Sequence, residues 1–334
     1  MDLPLAVTMG EPAGIGGEIA LAAWLGRGDK DRAFYLIDEP DRLAGLARTL
    51  GWDVPVRAIA VPQEAISACR EALPVLPLGV RLRARPGQPD PADALAIIGA
   101  IEQAVRDVRE GRAAALVTNP IQKENLYRAG FRHPGHTEFL AELAGTGATP
   151  VMMLASEELR VVPVTIHLAL RRAVAILSTA AIVHAGQVSA AALRRDFGIA
   201  APVLAVAGLN PHAGENGALG EEDRDIVAPA VAKLQAAGID ARGPFAADAM
   251  FHAQARRSYD AALCMYHDQA LIPLKTLDFY GGVNVTLGLP FVRTSPDHGT
   301  ALDIAGRGIA RPDSFQAALR LAARMVLNRR RADR

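Results

Sequence analysis

Only two of the 334 residues are cysteine, Cys69 and Cys264, which is too few for a disulfide framework and points to a reducing compartment. Net charge is also missing. Lys plus Arg and Asp plus Glu number 36 each, so nothing suggests a nucleic-acid or membrane surface, and the Arg329–Arg331 run reads as a solvated end. No apolar stretch approaches the roughly 20 residues that a membrane span requires. The N-terminus shows no basic run followed by an apolar core, so no signal peptide is expected and the cytoplasm is the expected location. Repeats, low-complexity tracts and evident linkers are absent as well. Neither the G-x-G-x-x-G fingerprint nor the Walker pattern occurs at the first glycine-rich turn, Met9–Glu18, which by itself signals only a tight turn near a ligand.

What is present is an alternation. Short apolar runs (3–9, 33–37, 113–117, 151–155, 161–166, 203–209 and 261–265) read as buried strands. Between them, stretches such as 91–109, 223–237 and 314–328 carry apolar residues at helical spacing. This pattern predicts an α/β fold, a largely parallel sheet with helices on its faces. Ligands in such sheets sit beyond the carboxyl ends of the strands. Three of the eight histidines, His167, His212 and His267, follow strands in that way.

Three neutral imidazoles suit a divalent metal and leave positions open for a substrate, and Asp248 and Asp268 are placed to orient the rings. Each histidine alone reads equally as a strand-end cap. Cys264 and His267 have the spacing of half a zinc motif, but Cys264 reads better as core. Where a loop becomes helix at Gly135–Glu138, His136 and Thr137 offer an anion site or an ordinary cap. Lys275, Asn284 and Arg293 add two cations and an amide in apolar surroundings, a set that matches phosphate or carboxylate. Polar groups buried there cost free energy unless they are paired or bind something.

The segments TMGEPAGIGGE, VTNPIQKENLYRAGFRHPGHTEFLAEL, VMMLASEELRVVPVTIHLALR, GLNPHAGENGALGEED, MYHDQALIPLK and GVNVTLGLPFVRTSPDHGTALDIAGRG closely resemble the 4-hydroxythreonine-4-phosphate dehydrogenases of vitamin B6 synthesis. One departure is Gly17, where the family usually carries proline. The resemblance implies an isocitrate/isopropylmalate dehydrogenase-like two-lobed fold with the active site in its cleft. Residues 1–128 plus 269–334 would form the cofactor-side lobe, and 129–268 the metal-binding and dimerisation lobe. It further implies a divalent metal (Zn, Mg or Co) on His167, His212 and His267, with His267 facing the other two across a homodimer that shares its active site. Substrate contacts would come from His136, Thr137, Lys275, Asn284 and Arg293. NAD or NADP would sit on Thr294, Asp297, His298, Gly299, Thr300 and Asp303.

The activity so implied is oxidation of 4-(phosphooxy)-threonine to a β-keto acid, which decarboxylates to 3-amino-2-oxopropyl phosphate. Asp248 and Asp268 are the candidate bases, beside a metal-bound hydroxide. Sibling dehydrogenases of the same family take four-carbon sugar-acid phosphates or aromatic dihydrodiol carboxylates. Phosphotransacetylase-like acyltransferases share the broad fold but need neither the metal histidines nor the DHGTALDIAG loop.

Overall fold

The computed structural model describes residues 3–28, 31–128, 130–133, 135–145, 147 and 149–333. Among them, strands run in chain order as β1 (Leu5–Thr8), β2 (Phe34–Asp38), β3 (Val56–Ala58), β4 (Leu73–Pro77), β5 (Ala115–Thr118) and β6 (Val151–Ala155). They continue as β7 (Arg160–Pro163), β8 (Val203–Ala207), β9 (Asp240–Phe245), β10 (Ala261–Cys264), β11 (Val283–Leu287) and β12 (Arg293–Pro296). Helices cover both sheet faces. The chain divides into two compact units, Met1–Ala148 with Leu289–Val326, and Thr149–Gly288 with Leu327–Arg334.

In the first unit the strand order is β3-β4-β2-β1-β5-β12, and every pairing is parallel. Strands covered on both faces carry continuous apolar runs, as in LAVT of β1 and ALVT of β5, which are buried throughout. The helix Ala94–Arg109 lays Ile97, Ile101 and Val105 against Ala6, Tyr35 and Leu116, one face at helical spacing. Strand β12 is the exception in composition. Its RTSP sequence is fully buried, and the Thr294 hydroxyl is satisfied by donating to the Ala318 carbonyl at 2.9 Å.

In the second unit the order is β11-β6-β7-β10-β8-β9. Strands β7, β10, β8 and β9 pair in parallel, whereas β11–β6 and β6–β7 are antiparallel. The connection from β6 to β7 is short enough for a hairpin, closed by Ser156 N–H donating to Leu159 O at 2.9 Å. The expected parallel sheet thus carries an antiparallel portion. The helix His267–Leu277 contains Pro273, which disguises it in the sequence, and it buries Ala270, Leu271 and Leu274 against Leu154, Val161 and Ala262.

Packing assigns two segments near the unit boundaries. Phe139, Leu140 and Ala144 join the core of the first unit, and residues 270–274 join that of the second. Gly17 is closely surrounded. A Cβ there would lie 3.1 Å from Leu46 Cδ2 and 3.2 Å from Arg42 Nη2, so a larger residue would need these two side-chain ends to shift by a few tenths of an ångström. No single helix among the described residues is long and apolar enough to cross a membrane.

Candidate active site

In the first unit, β5 and β12 are neighbours, and their ends bring polar groups together. Arg293 opens β12, is 3% exposed, and donates from Nη2 to Thr118 Oγ1 at 2.6 Å. Burial lowers its pKa to about 10, which leaves it cationic at neutral pH. The helix His136–Ala144 begins beside it. Gly135 is the N-cap, so Thr137 lies inside the first turn and is not the cap that the sequence suggested. His136 Nε2 is buried and makes no hydrogen bond within the protein. Burial, and after it the positive charges of Arg293 and Lys123, hold this imidazole neutral, well below its ordinary range.

A neutral ring under the influence of two cations, with an idle buried nitrogen at a helix start, leaves a polar atom that folding alone does not satisfy. It fits an anion that accepts from all three. Lys123 opens the helix Lys123–Arg128, and its Nζ lies 3.4 Å from where a Gly135 Cβ would stand. The sequence reading missed it, although it lies within the recognisable run VTNPIQK.

The state of His136 has a consequence for stability. In the unfolded chain the ring takes up a proton below about pH 6.5, but in the folded protein it does so only at far lower pH. The unfolded state therefore binds the additional proton, and stability falls as pH drops through that value. One such group contributes a slope of at most about 1.4 kcal/mol per pH unit. His136→Gln should flatten this part of the profile in urea titrations at successive pH values. An unchanged slope would show that the ring titrates normally.

The stretch expected to hold the nucleotide lies after β12. The Asp297 amide donates to Ser314 Oγ at 2.9 Å, and His298 Nδ1 lies 3.0 Å from Gly299 O. His298 Nε2 is buried and has no hydrogen-bond partner. A Cβ on Gly299 would meet nothing within 4 Å, and Asp303 is exposed. An orphaned nitrogen beside open backbone fits a polar ligand. Thr294, by contrast, is buried with its hydroxyl committed to Ala318.

In the second unit the three histidines do follow the strands. His167 comes after β7, His212 after β8, and His267 opens the helix after β10. His167 and His212 have φ of +49° and +53°, and the left-handed conformation runs on from His212 through Asn216. Such strain persists only where the surroundings enforce it. The ring centroids of His167 and His267 lie 5.7 Å apart within one chain.

Asp268 Oδ1 lies 2.7 Å from His267 Nδ1, which makes the carboxylate an orienting partner of the ring and leaves Nε2 to face a ligand. A cavity of about 230 Å³ opens there, lined by Thr165, His167, Leu170, Tyr266, His267 and Asp268. Among the described residues, no three His, Cys, Asp or Glu side chains converge closely enough to hold a metal, so His212 does not complete the trio. Two imidazoles and an orienting carboxylate still fit part of a divalent cation's donor set.

Side chains that the sequence reading passed over tie these loops together. Thr165 Oγ1 donates to Met265 O at 2.8 Å. Gln269 accepts from Met265 N–H and donates to Gly208 O, both at 2.7 Å, which links the loops of His267 and His212. The buried Asp223 accepts from the amides of Leu209 and Asn210 at 2.7 and 3.0 Å. Lys275 lies in the last turn of the helix His267–Leu277 with Nζ 5.5 Å from the Phe279 ring, and Asn284 is half-buried on β11. Asp248 is exposed on the turn Ala247–Ala249. The five expected substrate residues are therefore distributed, with His136, Thr137 and Arg293 in the first unit and Lys275 and Asn284 in the second.

The sequence profile of pyridoxal phosphate biosynthetic protein PdxA matches residues 30–322. A 4-hydroxythreonine-4-phosphate dehydrogenase from Bradyrhizobium diazoefficiens is 57% identical, over 97% of this chain and 97% of its own length. Among solved structures, a 4-hydroxythreonine-4-phosphate dehydrogenase from Klebsiella pneumoniae superimposes with a TM-score of 0.86 at 38% identity, covering 97% of this chain and 99% of its own. A terephthalate 1,2-cis-dihydrodiol dehydrogenase from Burkholderia xenovorans is more distant, with a TM-score of 0.63 and 27% identity over 96% of this chain and 98% of its own.

Proposed function

Because this chain belongs to the PdxA family of 4-hydroxythreonine-4-phosphate dehydrogenases, we propose that it oxidises 4-(phosphooxy)-threonine in pyridoxal phosphate synthesis, using NAD or NADP and one divalent metal. The product is a β-keto acid that loses CO₂ to leave 3-amino-2-oxopropyl phosphate. The observation that carries this reading is the idle, buried Nε2 of a neutral His136 between the cations of Arg293 and Lys123. A phosphate brings up to two negative charges and several acceptor oxygens, and this set answers both.

Each residue then has a task. Arg293 and Lys123 neutralise the phosphate, and His136 donates an uncharged hydrogen bond to it from Nε2. Thr137 adds its hydroxyl in the first helical turn, and Lys275 and Asn284 serve the remaining polar groups of the substrate. His167 and His267 would hold the cation, with Asp268 fixing the His267 tautomer, and His212 would have to approach them to complete the set. The run from Asp297 to Asp303 holds the nucleotide. When bound, NAD(P)⁺ supplies the hydride acceptor and the divalent cation supplies Lewis acidity toward the secondary alcohol. Asp248 and Asp268 remain the candidate bases; Asp268 is engaged by His267, and Asp248 is exposed.

A homodimer with a shared active site belongs to the same proposal. Leu168, Leu170, Ile176, Ile272, Phe279 and Tyr280 stand 38–64% exposed in the second unit, large apolar side chains of the kind that a second copy covers. Sedimentation of the intact chain tests this, and a monomer at all concentrations would contradict it.

The substrate is tested by turnover with 4-(phosphooxy)-threonine, a four-carbon sugar-acid phosphate and an aromatic dihydrodiol carboxylate, each with NAD and NADP. The amino-acid phosphate should be strongly preferred. A preference for the phosphate-free dihydrodiol would overturn the role given to His136, Lys123 and Arg293.

A further inference from the structure

We propose that Glu18 is a positioning residue that sets the shape of the 297–310 segment and, through it, the affinity for nucleotide. The inference rests on the reading of that segment as the nucleotide site. Glu18 lies in the first turn of the helix Gly16–Leu25 and is fully buried. Its two carboxylate oxygens each receive a backbone amide from the far end of the chain. Oε2 accepts from Gly306 N–H at 2.9 Å, and Oε1 accepts from Ala310 N–H at 3.1 Å. A buried carboxylate is costly unless its oxygens are satisfied, and here two amides of one segment satisfy it.

The rest of the first turn grips the same segment. Ile15 N–H donates to Thr300 O at 3.0 Å, and Gly14 lets Thr300 approach so closely that a Cβ would lie 2.8 Å from its carbonyl oxygen. From the other side, Gly306 (φ +75°) would place a Cβ 2.7 Å from Pro86 Cβ. Within this hold, Ala301 takes a φ of +43°, a conformation that a non-glycine residue keeps only when its neighbours impose it. Ile15 holds Thr300, and Glu18 holds the amides of Gly306 and Ala310, so the stretch from Thr300 to Gly306 is fixed at both ends. The first turn thereby acquires a role beyond being tight: it is the mould for a segment nearly three hundred residues away.

Glu18→Gln keeps the size of the side chain but replaces one acceptor oxygen with an NH₂ that opposes an amide donor. Three readouts separate the possibilities. In the parent protein, NAD(P)H should slow hydrogen exchange across residues 297–310. In Glu18→Gln, exchange at Gly306 and Ala310 should quicken, and NAD(P)H should bind roughly tenfold more weakly, the scale expected on losing a charge-assisted hydrogen bond. Affinity for 4-(phosphooxy)-threonine should stay within about twofold, which a general loss of folding would not allow. Gly306→Ala strains the same contact from the opposite side and should reproduce the selective loss if Glu18→Gln does not fold. Absence of protection in the parent would overturn the nucleotide reading and this inference with it. Protection in the parent, with unchanged nucleotide affinity in both variants, would overturn the role of Glu18 alone.

Discussion

Replacing Arg293 with alanine should weaken 4-(phosphooxy)-threonine by about tenfold to a hundredfold while leaving nucleotide binding almost intact. A charge-assisted hydrogen bond to a phosphate is worth roughly 1.5–3 kcal/mol, which sets that range. The loss should appear chiefly in binding. Burial already penalises the Arg293 cation, as its lowered pKa of about 10 reflects, and relief of that penalty offsets part of the cost of the cavity left behind. Thr294 stays anchored to Ala318 and keeps β12 in place, so the segment that follows should hold its shape. Arg293→Lys should rescue little, because a point charge does not reproduce a planar fork. Substrate and nucleotide dissociation constants, measured separately on the variant, decide the matter. Equal weakening of both would assign Arg293 to the nucleotide and undo the division of roles on either side of β12.

The second large effect concerns the histidines. Dialysis against a strong chelator should abolish turnover, and Zn²⁺, Mg²⁺ or Co²⁺ should restore it. His167→Ala and His267→Ala should each prevent restoration. Asp268→Asn should act more mildly, since it removes the partner that orients His267 and not a donor. Loss of such a partner costs roughly ten- to a hundredfold in metal affinity. Chelator competition reads this directly and without turnover. Normal metal affinity in Asp268→Asn would mean that the 2.7 Å contact with His267 is incidental.

Much of this was legible in the sequence, and the parts that were not share a cause. Strands β1, β5, β6, β8 and β10 announce themselves as unbroken apolar runs because they are buried on both faces. Strand β12 does not, because its polar residues are buried, Arg293 and Thr294 through hydrogen bonds that no local pattern reveals. Pro273 concealed the helix that carries His267 and Lys275. In the site, a histidine after a strand is a local signal, and all three histidines stand where that signal put them.

What escaped was everything defined by distant contact. Glu18 reaches amides 288 and 292 residues away, Gln269 reaches a carbonyl 61 residues back, and Lys123 meets His136 across a turn. Spacing along the chain carries no record of such meetings. The same limit explains the metal set. The sequence placed three imidazoles after three strands, yet only His167 and His267 have rings in contact.

The central claim is tested most directly by incubating the purified chain with 4-(phosphooxy)-threonine and NAD⁺ or NADP⁺, and counting reduced nucleotide and CO₂ together, before and after metal removal. The account predicts equal amounts of the two, formed only while a divalent metal is present and recovered when it is returned. Undiminished nucleotide reduction by fully metal-free protein, or none with this substrate under any metal, would contradict it.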